Sequence, residues 1–401
     1  MKRESQNNIS KKLKEIQGGV CAPMGFRASG VFCESKDISA RKMGFSIVVS
    51  DRRCPSACVY SNGASIGAPL KVTKKHLKYG TAQAAFINSG IANVFQANGE
   101  KFAKNVCKYI EKCGLVETAD VMIGSTGLMG AHLDMSPYEQ GILGLSQSIT
   151  YDAEGSLRAA EALMTTDRQP KQLSYAFDLG NYICKFGAIF KGNSLVSPNM
   201  ATVLGVITTD TNISSEMLQK ALGSAVKESF NLLNIDGASS PNDMVCIMAN
   251  GKAGNYKIDS EDTEYKKFAF ALLEVMKEMC RRIAADGAEK TLLCRVSNAK
   301  SKSFSRSLSK QIVGLYAFKN GIKTKRLNVE YILGILLEQM ETIDGVEIYL
   351  RSLNGTLVLF SDGELLRCSP EREGYILEAG EVELCIDLSE GNFSSIAYGC
   401  I

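Results

Sequence analysis

Residues 191–210 read KGNSLVSPNMATVLGVITTD. A loop carrying Gly192 and Pro198 runs into Ala201-Thr202, and the apolar stretch from Val203 to Ile207 then reads as a buried strand. Thr202 falls at the mouth of that strand, where a side chain is held rigidly while a loop precedes it. An ordinary threonine that merely begins a strand fits the same letters, and spacing alone does not separate the two readings.

Outward from this segment, apolar spacing switches between the strand and helix periods. Phe45, Ile47 and Val49 alternate and predict a short strand before Asp51. Phe102, Val106, Ile110 and Cys113 follow the helical period, with Gly114 where a C-cap belongs. Ser214 or Ser215 can cap a helix whose Met217, Leu218, Ala221, Leu222, Ala225 and Val226 form one stripe. A long helix follows from about Asp262, turns Phe268, Leu272, Val275, Met279 and Ile283 inward, and stops near Asp286-Gly287. The last third predicts a hairpin: Val346, Ile348 and Leu350 alternate, Asn354-Gly355 turns, and Leu357 to Phe360 return. Val382, Leu384, Ile386 and Leu388 make another strand. This is a mixed α/β chain in at least two lobes, with their boundary within residues 275–320.

Composition narrows the function. The 401 residues are 45% apolar and 22% charged, a soluble globular balance. Lys and Arg number 46 against 43 Asp and Glu, a net +3 that by itself implies neither a nucleic-acid nor a membrane partner. The 13 cysteines are scattered from Cys21 to Cys400 and odd in number, so reduced thiols and a cytoplasmic location are expected. The first 16 residues, MKRESQNNISKKLKEI, lack the apolar core of a targeting signal. No apolar run approaches the roughly 18 residues that cross a bilayer.

Familiar catalytic constellations are missing. With only His76 and His132 in the chain, a histidine-dependent triad has no support. Cys54-x-x-x-Cys58 has no second pair or histidine cluster to complete a zinc site. There is no GxxxxGK[ST] loop and no GxGxxG after a strand. A covalent catalyst that does without histidine or metal remains, namely a hydroxyl activated by an amine.

The chain resembles the ornithine acetyltransferase family, the bifunctional glutamate N-acetyltransferases of arginine biosynthesis. The matching stretches run in order over nearly the whole length: GGVCAPMGFRASG at 18–30, NSG at 88–90, GSTGLMG at 124–130 and MTTD at 164–167. The 191–210 block with its PNMAT core comes next, then FNLLNIDGASSPND at 230–243, ANGKAGN at 249–255 and the DLSEGNFSSIAYGC end.

The resemblance implies a layered α/β/β/α self-processing nucleophile fold with a smaller C-terminal α/β domain. It divides the chain into a polar arm at 1–17, a nucleophile domain at 18–285 and the C-terminal domain at 286–401. It implies self-cleavage between Ala201 and Thr202, giving an α chain of 1–201 and a β chain of 202–401. The new Thr202 α-amine, with a reference pKa of about 7.7–8.0, is partly neutral near pH 7 and can take the Oγ proton. Oγ then attacks the acetyl carbonyl of N-acetylornithine, and glutamate collects the acetyl group. The matching oxyanion residues are Thr126, by its hydroxyl, and Gly127, by its backbone N–H. Lys191 holds a substrate carboxylate, and Thr165 or Thr166 contacts substrate. No metal or organic cofactor is implied, although some members accept acetyl-CoA as donor. Partners are small amino-acid substrates, and the usual assembly is α2β2.

Several positions depart from the family pattern. Ile91 replaces an amide in Asn88-Ser-Gly-Ile-Ala-Asn93, and Ala238 replaces a carboxylate in the 236–243 stretch. The family's substrate-binding glutamate aligns with Ala288, so Glu289 serves only if the loop shifts by one residue. A further family stretch reads Asn328-Val-Glu-Tyr331, and the end at Tyr398-Gly-Cys-Ile401 lacks a terminal substrate-binding segment. Two other readings therefore stay open: an acyltransferase or amidohydrolase for another N-acyl amine, and a degenerate, non-catalytic homologue.

Overall fold

The computed structural model describes residues 13–34, 42–61, 66–193, 203–237 and 240–401. They fall into two units: residues 13–192, 203–226 and 240–279 form the first, and residues 193, 227–237 and 280–401 the second.

The first unit contains β1 (Lys14–Glu15), β2 (Phe26–Glu34), β3 (Lys42–Tyr60), β4 (Thr81–Asn88), β5 (Val121–Ser125), β6 (Lys171–Leu179), β7 (Tyr182–Lys191), β8 (Leu204–Thr209) and β9 (Met244–Ala249). Its helices are α1 (Ala68–His76), α2 (Gly99–Lys112), α3 (Met135–Ser148), α4 (Ala153–Leu163), α5 (Ser215–Lys227) and α6 (Thr263–Gly287), of which the last continues into the second unit. The strands run in the order β1-β6-β7-β8-β9-β3-β4-β5, with β2 on β3.

One strand serves two sheets. The first part of β3 pairs with β2 and β4, a register shift follows between Val49 and Cys54, and Ser56–Tyr60 pair with β9. The strand expected to end before Asp51 therefore runs on to Tyr60. Its charged middle is exposed at Asp51, Arg52 and Arg53, and the bulge turns those side chains outward without ending the pairing.

The two sheets face each other. Val48, Ile87 and Met122 on one side share a core with Ile189, Leu204, Val206, Met244 and Cys246 on the other, together with Leu163 of α4. The outer face of the β2–β5 sheet turns Phe45, Ile47, Val49, Phe86 and Ile123 onto Val106 and Ile110 of α2 and Tyr138 and Ile142 of α3. On the far side, Phe186 stacks on Phe177 with ring centroids 4.9 Å apart and meets Phe268 of α6 at 5.2 Å. The result is helix, sheet, sheet, helix, the layered α/β/β/α fold. β8 is buried at all six residues, Thr208 and Thr209 included, and the apolar run from Leu204 to Ile207 has no polar alternation because both its faces are covered.

The second unit carries β10 (Thr291–Ala299), β11 (Glu347–Ser352), β12 (Gly355–Ser361), β13 (Glu364–Leu365), β14 (Glu381–Asp387) and β15 (Phe393–Cys400), in the order β13-β12-β11-β14-β10-β15. The expected hairpin is β11–β12, closing at Ser352 opposite Gly355. Its helices are α7 (Lys302–Val313), α8 (Tyr316–Lys323), α9 (Glu330–Gln339) and α10 (Pro370–Leu377). Ser301 caps α7 by accepting the Phe304 N–H at 3.1 Å. Among the described residues, no helix is long and apolar enough to cross a membrane.

Candidate active site

The sheets of the first unit bring several chain segments to one edge. β4 and β5 run parallel and end together at Asn88 and Ser125. β7 ends at Lys191, opposite Leu204 at the start of β8, and Leu204 in turn pairs with Met244 at the start of β9. Thr126, Lys191 and Val203 thus each sit one residue beyond, or at, a strand end on this edge. Ala201 and Thr202, the expected cleavage pair, lie outside the described residues, as does Ala238.

The turn after β5 is fastened backbone to backbone. Thr126 N–H donates to Asn88 O at 2.9 Å, and Leu128 N–H donates to Gly90 O at 2.9 Å. Ala92 N–H returns to Leu128 O at 2.9 Å. Asn88 braces the junction, accepting from the Ser125 hydroxyl at 2.6 Å and donating to Ile91 O at 2.8 Å. Gly127 packs so closely here that an added Cβ would lie 2.2 Å from the carbonyl carbon of Gly90, and its φ of +124° excludes ordinary side chains as well. The fastening consumes the Thr126 N–H. It leaves the Thr126 hydroxyl and the Gly127 N–H without a partner among the described residues.

A second cluster forms behind Lys191. Its ammonium donates to the Thr165 hydroxyl at 2.7 Å and stands 4.0 Å from Asp167 Oδ2. Asp167 is the hub. Oδ1 accepts from Lys171 Nζ at 2.7 Å and from Gly192 N–H at 2.8 Å, while Oδ2 accepts from Thr165 N–H at 3.1 Å. Lys171, Lys191 and Asp167 are all buried. Burial acts to raise the Asp167 carboxyl, but the Lys191 and Lys171 ammoniums and the hydrogen bonds outweigh it and hold the group below its ordinary value. Burial and the nearby Lys171 pull Lys191 below the usual lysine value against the opposing pull of Asp167.

The third element is the start of β8 and β9. Val203 N–H donates to Asp243 Oδ1 at 2.9 Å, and Val203 O accepts from Met244 N–H at 3.0 Å. Next to Asp243, the Asn242 amide donates to Ala92 O at 2.5 Å, the same residue whose N–H reaches Leu128. A continuous set of hydrogen-bonded residues therefore runs from Val203 to the Thr126-Gly127 turn.

Of the residues expected from the sequence, the structure brings Lys191 and Thr165 into contact and sets Thr126 and Gly127 on the same edge. Thr165 and Thr166 are both exposed, and it is the Thr165 hydroxyl that meets Lys191. Glu289 belongs to the second unit, exposed in the turn between α6 and β10. Asp167, Lys171 and Asp243 escaped the sequence reading. Asp167 closes the MTTD motif and Asp243 closes the 230–243 stretch, so both lay inside motifs already singled out.

The ArgJ family model matches residues 27–400. The arginine biosynthesis bifunctional protein ArgJ of Bacillus subtilis is 34% identical over 397 residues, spanning 97% of this chain and 95% of its own length. The protein of the same name from Symbiobacterium thermophilum is 32% identical over 393 residues, spanning 97% and 96%. Among solved structures, an ornithine acetyltransferase of Mycobacterium tuberculosis complexed with ornithine is 25% identical with a TM-score of 0.42, over 48% of this chain and 100% of that one. Likeness of this extent along nearly the full length places the chain in the ArgJ family.

Proposed function

We infer that the chain cuts itself between Ala201 and Thr202 and then moves the acetyl group of N-acetylornithine to glutamate through an acetyl ester on Thr202. Family membership supports the reaction class. The observation that carries the site is the pair of donors at Thr126 Oγ and Gly127 N–H, left over by a turn whose Thr126, Leu128 and Gly130 N–H groups are each bonded to backbone carbonyls. Donors held in this way need no reorganisation when an oxyanion develops.

The steps balance with this chain's own groups. After the cut, the Thr202 α-amine takes the Oγ proton as Oγ bonds to the acetyl carbon. Thr126 and Gly127 hold the oxyanion; the C–N bond breaks and ornithine leaves with that proton on its amine. The glutamate amine attacks the ester carbon and gives a proton to the Thr202 α-amine; the second oxyanion, held at the same donors, collapses as the C–Oγ bond breaks, Oγ takes that proton back, and N-acetylglutamate leaves. Lys191, positioned by Thr165 and Asp167, receives a substrate carboxylate. Thr166 and Glu289 are retained as substrate-binding residues on the resemblance alone. The cleaved pieces are assigned to an α2β2 assembly in the cytoplasm, with acetyl-CoA as a second donor to be tried.

Two measurements test this. Denatured, purified protein should give two fragments by mass, the second beginning at Thr202. That protein, mixed with N-acetylornithine and glutamate without CoA, should yield ornithine and N-acetylglutamate. A single uncut chain of 43.5 kDa, or acetate release with no transfer to glutamate, overturns the proposal.

A further inference from the structure

We propose that Cys58 and Cys246 are a dithiol site that hydrogen peroxide oxidises to a disulfide, fastening β3 to β9. The inference goes beyond the acetyl-transfer reading and does not depend on it. The Cys58 sulfur attacks one peroxide oxygen, the O–O bond breaks, and the departing hydroxide takes the thiol proton and leaves as water. The product is a sulfenic acid on Cys58. The Cys246 sulfur then attacks the Cys58 sulfur, the S–O bond breaks, and the hydroxyl leaves as a second water with the Cys246 proton. The two thiols are oxidised by two electrons in all, and the peroxide is reduced by the same two.

Register is the first argument. Cys58 and Cys246 stand directly opposite each other in the antiparallel pairing of β3 with β9, so their side chains share one face. Opposite residues alternate between hydrogen-bonded pairs and closer pairs that exchange no backbone bond, whose α-carbons are about 4.5 Å apart. Cys58 belongs to the closer kind. Its N–H donates to Oε1 of Gln219 on α5 at 3.2 Å, and its carbonyl accepts from Gln219 Nε2 at 3.3 Å, so neither faces β9. Ser56 N–H also turns away, to Gly80 O at 2.8 Å, whereas Ser61 N–H, in the alternate set, reaches Asp243 O at 3.1 Å. The α-carbon spacing of such a pair falls within the roughly 4.4–6.8 Å that a disulfide spans.

The arrangement is specific to this pair. No other strand pairing among the described residues sets cysteine against cysteine. In the second unit Cys294 stands opposite Leu384 and Cys385 opposite Arg295, one step out of register and therefore on opposite faces. Cys58 and Cys246 instead share the core between the two sheets.

Access is the second argument, and it sets the order of attack. Cys58 borders a cavity of about 390 Å³ together with Tyr60, Lys74, Lys78 and Gln219. The Lys74 ammonium lies over the Tyr60 ring, 4.9 Å from its centroid. Burial drives the Cys58 thiol well above its ordinary value and the nearby Cys246 adds to this, while the Tyr60 hydroxyl and the Lys74 charge pull it back. Cys246 is wholly buried, and burial pushes its thiol up to about 12. Cys58 is thus the attacking sulfur and Cys246 the resolving one. At 5% exposure, Cys58 admits a molecule of the size of peroxide and excludes bulkier thiol reagents. Both thiols being protonated at neutral pH, the oxidation is slow. Cys58 precedes the expected cut and Cys246 follows it, so in a cut chain the bond joins the two pieces covalently.

The test treats the purified full-length protein with hydrogen peroxide, raising the dose until the partly exposed Cys33 and Cys113 are oxidised. The protein is then quenched, denatured in N-ethylmaleimide to cap every remaining thiol, and mapped by peptide mass. Cys58 and Cys246 should lose their caps together and appear in one linked pair of peptides, which reduction separates. Cut and uncut chains give the same linked pair, so a failure of the Thr202 reading leaves this measurement intact. In Cys246→Ala, peroxide followed by dimedone should tag Cys58, because the sulfenic acid has lost its resolving thiol. Cys58 and Cys246 both capped at that dose overturn the proposal, as does a bond from either one to a different cysteine. An untagged Cys58 in a folded Cys246→Ala overturns its role as the attacking sulfur. Should that variant fail to fold, the wild-type map decides alone.

Discussion

The Lys191 ammonium donates to the Thr165 hydroxyl at 2.7 Å, joining the last residue of β7 to the segment that follows α4. Neither residue is oriented by its own strand or helix alone, and both depend on Asp167 between them. Lys191→Met should raise KM for N-acetylornithine about 10- to 100-fold, the weight of a hydrogen bond to a charged group, about 1.5–3 kcal/mol. Lys191→Arg should not restore it, since a planar guanidinium does not fit a site built around one ammonium. Steady-state kinetics on both variants checks this, and an unchanged KM removes Lys191 from substrate binding.

At the turn after β5, Thr126→Val keeps the volume and removes the hydroxyl. We expect kcat to fall about 100-fold with KM nearly unchanged, the mark of a donor used only in the transition state. Gly127→Ala is a different kind of change. Its Cβ would sit 2.2 Å from the Gly90 carbonyl carbon, so the melting temperature should fall together with activity. A Gly127→Ala protein that melts like wild type contradicts the packing described.

Asp167 makes stability depend on acid. Its pKa is lower folded than unfolded, so its ionised form favours the native state and its contribution is fully present at neutral pH. That contribution drains away as the pH falls below about 4, the ordinary carboxylate value. Asp167→Asn should therefore melt below wild type at pH 7, with the gap closing in acid. A gap that stays constant down to about pH 3 denies the ionic role.

Lys310 on α7 gives the opposite sign. Burial pushes its ammonium down to about 8, so below that pH the folded state carries the cost of a desolvated charge. As pH climbs from about 8 to about 10.4 the folded lysine is neutral while the unfolded one still binds a proton, and wild-type stability rises. Lys310→Met should be the more stable protein at pH 7, by an amount of order 2 kcal/mol that shrinks across that window. Thermal melts at pH 7 and pH 10 decide it.

All thirteen thiols are free, and Cys21, Cys33, Cys113 and Cys368 are the partly exposed ones. Burial pushes Cys21 up to about 12 and raises the other three as well, so each is a poor nucleophile at neutral pH. A thiol reagent should modify at most these four in the native protein, slowly, and the other nine only after denaturation. Rapid native labelling of more than four argues against the packing of the two sheets.

Much of this architecture can be read from the letters. The stripe of α5, the long α6 and the β11–β12 hairpin follow from period and turn chemistry, because each is fixed by near neighbours in sequence. β3 was only half legible. Asp51, Arg52 and Arg53 look like the end of a strand, and what continues it is pairing with β9, nearly two hundred residues further along. The site divides in the same way. Thr126, Gly127, Thr165 and Lys191 sit in recognisable motifs, whereas the part played by Asp167 depends on Lys191 and Gly192 being brought to it by the end of β7. Asp243 is equally silent in sequence, since only the fold places its carboxylate on Val203.

The antiparallel pairing of β7 with β8 has a mechanical consequence. Six register pairs, from Phe186–Thr209 to Lys191–Leu204, clasp the two strands that flank the segment between them, and parallel pairing ties β8 on to β9. A break anywhere in that connection removes a covalent link but no rung of the ladder. The two pieces would then behave as a naturally split protein: interleaved within one sheet, they co-purify, resist exchange with free copies of either piece, and come apart only when the sheet itself unravels.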